Sequence, residues 1–266
     1  MAYRGIIYRR DEEAIMKTTM KIGLFVPCYI DAFFPKTGIA TLELLEKCGQ
    51  HVEYPMTQTC CGQPMANAGC NADAAVAEDL FIRNFARYDA IVVPSGSCAN
   101  HVRHHFDAIP QTDEVEHVRR NTYELVEFLH DILKVQEFPW ADFPHKVGLH
   151  NSCSTLRSLR TASMSELGES FFSKPMALLS HVKGISFVTP KRPDECCGFG
   201  GTFCITEEAV SVRMGLDKIQ DHYTAGAEYI VSADSSCLMH QQGCAERAGV
   251  PIRFIHIAEI LNGSRA

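Results

Sequence analysis

Two cysteines stand side by side at Cys196-Cys197-Gly198, and the same triplet occurs earlier at Cys60-Cys61-Gly62. Adjacent Cα atoms are about 3.8 Å apart, whereas a relaxed disulfide wants about 5.5 Å between them. Neighbouring cysteines are therefore poor partners for each other. They are well placed to aim two thiolates at one external object, a metal or a cluster. The glycine that follows lets the backbone turn sharply and come close to that object. A helix predicted from about Glu207 would favour thiolate over thiol near its amino end.

The two triplets are halves of an internal repeat. The first half runs Cys28, then Cys60-Cys61-Gly62, then Cys98; the second runs Cys153, then Cys196-Cys197-Gly198, then Cys237. Apolar runs predict strands over 21–27, 51–55 and 90–94, then over 146–150, 185–188, 228–231 and 252–257. Helical periodicity falls over 37–48, 74–88 and 123–135, then across 154–179, 207–223 and 238–248. This alternation predicts an α/β fold: two similar parallel-sheet cysteine-rich domains related by an approximate two-fold axis. Every repeat cysteine falls just past the carboxyl end of a predicted strand, the edge where open α/β sheets take ligands. Three strand ends in each half would then converge four thiolates. Cys28, Cys60, Cys61 and Cys98 form one candidate set, and Cys153, Cys196, Cys197 and Cys237 the other. A Cys₄ set suits zinc or an iron–sulfur cluster. Two prolines and the lone tryptophan in 137–144 mark the division: an extension over 1–20, a first domain over 21–140 and a second over 141–266.

Twelve cysteines in 266 residues is a high count. The amino terminus is charged and lacks the apolar centre of a secretory signal, which predicts a cytoplasmic protein. In a reducing compartment such a count reads as metal or redox chemistry rather than a disulfide framework. A net charge of −7 argues against nucleic acid, whose binders carry a basic footprint. No apolar run approaches the roughly 18 residues that span a bilayer.

The remaining residues read more plainly. Cys48, Cys70, Cys204 and Cys244 are expected as small buried hydrophobes. His101 and His240 each follow a repeat cysteine by three residues and are expected as helix residues beside the sites. His104 and His105 are expected in solvent, and His150 as a hydrogen-bonding neighbour of the second site. Glu207-Glu208 and Asp217-Lys218 read as solvated helix faces. The run from Gly198 to Gly201 lacks both the G-x-G-x-x-G spacing and the P-loop lysine. It reads as backbone passing close to a cluster. Nothing reads as a flavin or dinucleotide site, and no C-x-x-C-x-x-C run is present.

The stretches 194–203 (DECCGFGGTF), 226–240 (GAEYIVSADSSCLMH), 94–98 (PSGSC) and 256–261 (HIAEIL) resemble the CCG, or cysteine-rich, domain family. The likeness covers nearly everything from about Lys21 onward. That family includes the cysteine-rich component of heterodisulfide reductase, the iron–sulfur subunits of glycolate and glycerol-3-phosphate oxidases, and a lactate-utilization branch, to which the likeness is greatest. The resemblance implies an iron–sulfur component of a three-protein system oxidising L-lactate to pyruvate. Its partners would be other lactate-utilization subunits: a ferredoxin-type iron–sulfur protein and a third small protein. It also implies a 4Fe-4S cluster, cubane or noncubane, one or two per chain, on the eight repeat cysteines.

In the heterodisulfide reductase branch five cysteines, including a closing Cys-x-x-Cys, bind each noncubane cluster. Here the closing pair is one cysteine per half. The partner position is Ser95 or His101 in the first half and Asp234 or His240 in the second. A four-thiolate cubane, a cluster with one Ser, Asp or His ligand, and zinc in one half all stay open. Two further readings differ in kind. One is a heterodisulfide or thiol–disulfide reductase, against which the shortened closing motif counts. The other is a zinc-stapled docking scaffold.

Overall fold

The computed structural model describes residues 20–264, so the extension expected over 1–20 lies almost wholly outside the described residues. The first half runs β1 (Ile22–Leu24), α1 (Cys28–Phe33), α2 (Pro35–Lys47), β2 (Val52–Glu53), α3 (Gln63–Asn67), α4 (Asn71–Phe85), β3 (Ala90–Val93), α5 (Gly96–His104), α6 (Asp113–Asn121), β4 (Thr122–Glu124) and α7 (Leu125–Glu127). A π-helical turn at Phe128–Ile132 ends it. The second half runs β5 (Lys146–Leu149), a π-helical turn (Ser154–Ser158), α8 (Lys174–Leu179), β6 (Ser186–Val188), α9 (Phe203–Thr206), α10 (Glu208–Thr224), β7 (Tyr229–Ser232), α11 (Ser235–Ala248), β8 (Arg253–His256) and α12 (Ile257–Asn262). No helix among the described residues is long and apolar enough to cross a membrane.

Each half carries a four-stranded sheet with every pairing parallel, in the order β2-β1-β3-β4 and β6-β5-β7-β8. Parallel sheets need both faces covered, and the two sheets here bury one face each into a shared core. Ile22 and Val92 of the first sheet pack in the same cluster as Val147, Val231 and Ile255 of the second. The other face of the first sheet holds an aromatic group of Phe25, Phe81, Phe85, Tyr88 and Phe106.

Register relates the halves residue by residue. Ile22 pairs with Ala90, and Val147 with Tyr229. From that pairing Phe25 corresponds to His150, Cys28 to Cys153, Ser95 to Asp234, Cys98 to Cys237 and His101 to His240. The approximate two-fold is visible in the helix contacts as well, since α1 meets α11 and α5 meets the Ser154–Ser158 turn. At the far end α2 meets α12, where Thr37 donates to Glu259 at 2.6 Å and the Lys47 ammonium donates to Asn262 at 2.7 Å.

Two sequence expectations differ from this fold. The helix expected over 123–135 is instead β4, a single turn of α7 and a π-helical turn. Thr122 and Tyr123 suit a strand beside β3, and the Glu124 capping box restarts the helix. Across 154–179 only the last stretch is α-helical. Arg160 and Gly168 take positive φ (55° and 59°) and break it.

Gly96 sets how closely the halves approach. A Cβ there would sit 2.1 Å from Thr155 Cγ2 in the other half. Gly96→Ala is expected to cost about 1–3 kcal/mol in urea unfolding, the usual range for overpacking. Adding Thr155→Ser removes that methyl, leaving the next neighbour at 3.2 Å, and is expected to restore most of the loss. Equal stability of Gly96→Ala and the native chain would show that the halves separate freely.

Candidate metal centre

The eight repeat cysteines line one cavity of about 360 Å³ between the two sheets' carboxyl ends. Cys28 opens α1, Cys98 and Cys237 sit in the first turns of α5 and α11, and Cys153 immediately precedes its π-helical turn. Cys60, Cys61, Cys196 and Cys197 lie in loops that follow β2 and β6. The single cysteines therefore stand at helical turns shortly after their strands, while each twin pair lies in a loop well past the tip of β2 or β6. Both sets face the same space, so each half presents its sulfurs to the other.

Within the first set the Cys28 and Cys60 sulfurs are 3.7 Å apart, and those of Cys61 and Cys98 are 3.4 Å apart. In the second set Cys153 lies beside Cys196, and the Cys197 and Cys237 sulfurs lie within 4.8 Å of each other. Two thiolates on one tetrahedral metal at about 2.3 Å would sit about 3.8 Å apart. These soft donors at that spacing suit a thiolate-bound metal or an iron–sulfur cluster. All eight are free thiols.

Backbone N–H groups point at the sulfurs. Gly62 donates to Cys60 at 3.4 Å, Gly198 to Cys196 at 3.3 Å and Phe199 to Cys197 at 3.5 Å. Gly198 has φ of 90°, and a Cβ there would meet the Ser211 carbonyl at 2.5 Å. That glycine serves the approach of α10 as well as the turn. Tyr29 of the first half meets Phe199 of the second edge-on, with centroids 5.9 Å apart, and both rings line the cavity.

The sulfurs share protons unequally. The hydrogen bond from Cys28, with a second from Cys61, pushes Cys60 down to about 2; the bonds from Cys153 and Cys197 do the same for Cys196. The donating Cys28, Cys153, Cys61 and Cys197 are raised by giving up those bonds and by burial. Each set thus already favours one thiolate, the form a metal takes.

The residues that could fill the shortened closing motif do other work. Ser95 caps α5, its hydroxyl accepting from Cys98 N at 3.4 Å. Asp234, 1% exposed, caps two helices at once. One oxygen accepts from Ser236 of α11 and the other from Ser97 N of α5, at 2.8 Å. His101 faces Glu78, its Nε2 lying 3.8 Å away. His240 lies 3.2 Å from the Ser211 carbonyl. His104 and His105 are exposed, as expected.

Several expectations from sequence need correction. Cys70 is exposed rather than a buried hydrophobe, and Cys48 and Cys204 are only half-buried; Cys244 is buried as expected. Lys218 is not on a solvated face: it is 0% exposed. Its ammonium donates to the carbonyls of Arg192 and Pro193 at 2.9 Å and anchors the loop before Cys196. The Asp221 carboxylate accepts from Lys191 N and Arg192 N of the same loop. In the first half Gln58 plays that part, bridging Val26 N and the Leu24 carbonyl. None of these three carried a sequence signal beyond helical or loop placement.

The family model of a cysteine-rich domain, CCG, matches residues 22–103 and 147–242. The chain belongs to the cysteine-rich domain family. Lactate utilization protein A of Geobacillus thermodenitrificans is 41% identical over 247 residues, covering 91% of this chain and 99% of its own length. The protein of the same name from Bacillus subtilis is 38% identical with the same coverage. A glutamate racemase structure from Francisella tularensis aligns over 92% of this chain and 78% of its own, at 9% identity and a TM-score of 0.32. A likeness that remote carries no argument. Both cysteine-rich matches include one whole set of sulfurs.

The proton distribution predicts a labelling order. In the metal-free protein at pH 6, Cys60 and Cys196 are thiolate, while Cys48, pushed up to about 11 by burial, is protonated. Iodoacetamide is expected to modify Cys60 and Cys196 before Cys48, read by peptide mass spectrometry. Equal rates would contradict the hydrogen-bonded thiolate pairs.

Proposed function

We propose that this chain is an iron–sulfur electron-transfer component of a cytoplasmic system that oxidises L-lactate to pyruvate. Cys28, Cys60, Cys61 and Cys98 would hold one centre, and Cys153, Cys196, Cys197 and Cys237 the other. The convergence of eight thiols on one cavity carries the reading. The shared name of the relatives, Lactate utilization protein A, points to the substrate. The partners would be a ferredoxin-type iron–sulfur protein and a third small protein of the same system. The two centres would belong to two units divided near residue 140.

Bound clusters would supply one-electron transfer, and two centres match the two electrons that leave a 2-hydroxy acid on oxidation. The chain's own residues would hold and tune them. The N–H groups of Gly62, Gly198 and Phe199 disperse negative charge on sulfur and so raise the potential. Tyr29 and Phe199, in edge-on contact, would flank the centres with aromatic surface. Gln58, Lys218 and Asp221 hold the loops so that the sulfurs stay aimed.

One observation favours a second reading. Sulfur separations of 3.4 and 3.7 Å also suit single zinc ions, which would make the chain a metal-stapled docking scaffold.

Iron, zinc and acid-labile sulfide per chain, measured on anaerobically purified protein, separate the two. The electron-transfer reading predicts about four to eight irons with matching sulfide and a paramagnetic signal that changes on reduction. Cys60→Ser with Cys61→Ser is expected to lose about half of the iron, and adding Cys196→Ser with Cys197→Ser to lose the rest. Zinc without sulfide would support the scaffold.

A further inference from the structure

The two halves carry the same cysteines at the same register, yet the position behind them differs. Where the first half places Phe25 after β1, the second places His150 after β5. Phe25 packs edge-on against Phe81 and Phe85, with centroids 4.8 and 5.7 Å away. His150 has no such aromatic group around it. It is 2% exposed, and neither Nδ1 nor Nε2 has a hydrogen-bond partner. A buried imidazole with both nitrogens unpaired is costly, on the order of 1–3 kcal/mol for each lost partner. Such a group calls for a partner that protein atoms do not provide.

The position of the ring supplies one. A nitrogen of His150 and the sulfurs of Cys197 and Cys237 all lie within 4.8 Å of one another. We propose that His150 is a nitrogen ligand of the metal centre in the second half, and that the two halves therefore hold chemically different centres. The inference rests on the reading that these thiolates bind metal, but not on which metal they bind.

Several observations agree. Burial holds the imidazole well below its usual pKa, with Lys218 and His222 nearby adding to the effect. The neutral ring keeps a lone pair free for a metal. Imidazole suits both zinc and iron. Asp234, a candidate oxygen donor beside the second set, is instead fully engaged in capping α5 and α11. His150 adds a nitrogen donor from the end of β5. The first half has Phe25 at that position and is left with thiolates. Where this imidazole takes the place of a thiolate on an iron centre, the reduction potential rises. The second centre would then be the stronger electron acceptor of the pair.

The test uses the full chain, loaded with metal and purified anaerobically. Cys60→Ser with Cys61→Ser empties the first site, so the remaining metal reports the second. X-ray absorption fine structure at the edge of whichever metal is present, iron or zinc, reads imidazole directly. The expected result is one imidazole on the second-site metal. That signal should disappear in His150→Phe, which copies the first half, along with a loss of second-site affinity of about tenfold or more. His150→Cys is expected to retain metal with an all-sulfur shell, which guards against misreading a folding defect.

Iron present in the second site with no imidazole scattering would overturn the inference and leave the proposed function standing, whereas zinc there with no imidazole scattering would overturn the inference and favour the scaffold. Imidazole retained in His150→Phe would overturn it too, by assigning the nitrogen to another histidine such as His240. No metal in either site of the native chain would overturn both.

Discussion

Thiolates held at hydrogen-bonding distance repel one another, and the surroundings of the cavity answer to that repulsion. Four sulfurs in each half can share a site only if protons or a metal neutralise them. In the chain as it stands, Cys28 and Cys61 keep protons so that Cys60 can lose its own, and Cys153 and Cys197 do the same for Cys196. A bound metal would replace all of those shared protons at once. The N–H groups of Gly62, Gly198 and Phe199 already point where such charge would lie. The parallel sheets make the arrangement possible, because they bring three consecutive strand ends of each half to one edge.

Duplication explains the frame, and divergence explains how the frame is used. The halves share strand order, register and cysteine positions, and they bury their sheets in one core. Asp234 ties them at the centre by capping a helix from each. What differs lies just behind the sulfurs. In the first half Phe25 and Phe85 share a core with Cys61 and Cys98, and the buried His101 and Glu78 stand beside Cys60. The second is backed by His150 and Lys218, with His222 lying where a Cβ on Gly148 would clash. Phe25 and His150 at matched register positions give two similar sulfur sets different near neighbours, which is a direct means of separating two potentials.

Much of this was legible in the sequence, for identifiable reasons. The paired triplets Cys60-Cys61-Gly62 and Cys196-Cys197-Gly198 fixed the repeat, and the apolar runs beside them located most of the strands. β4 escaped notice because Thr122–Glu124 is short and continues into a helical pattern. Lys218 looked solvated because a charged residue on a long helix usually is; the loop carbonyls that bury it are distant in sequence. The shared cavity was not legible either. Strand ends could be assigned within each half, but the facing of the two halves depends on close approaches such as Gly96 against Thr155. His150 stood out only as a neighbour of Cys153. Its unpaired nitrogens became visible once the burial around it was known.

Anomalous diffraction from anaerobically grown crystals, collected on both sides of the iron and zinc edges, tests the central claim most directly. The account predicts two separate metal peaks bordering one cavity, one on each set of four cysteines. Anomalous density confined to a single set, or none at either, would contradict it.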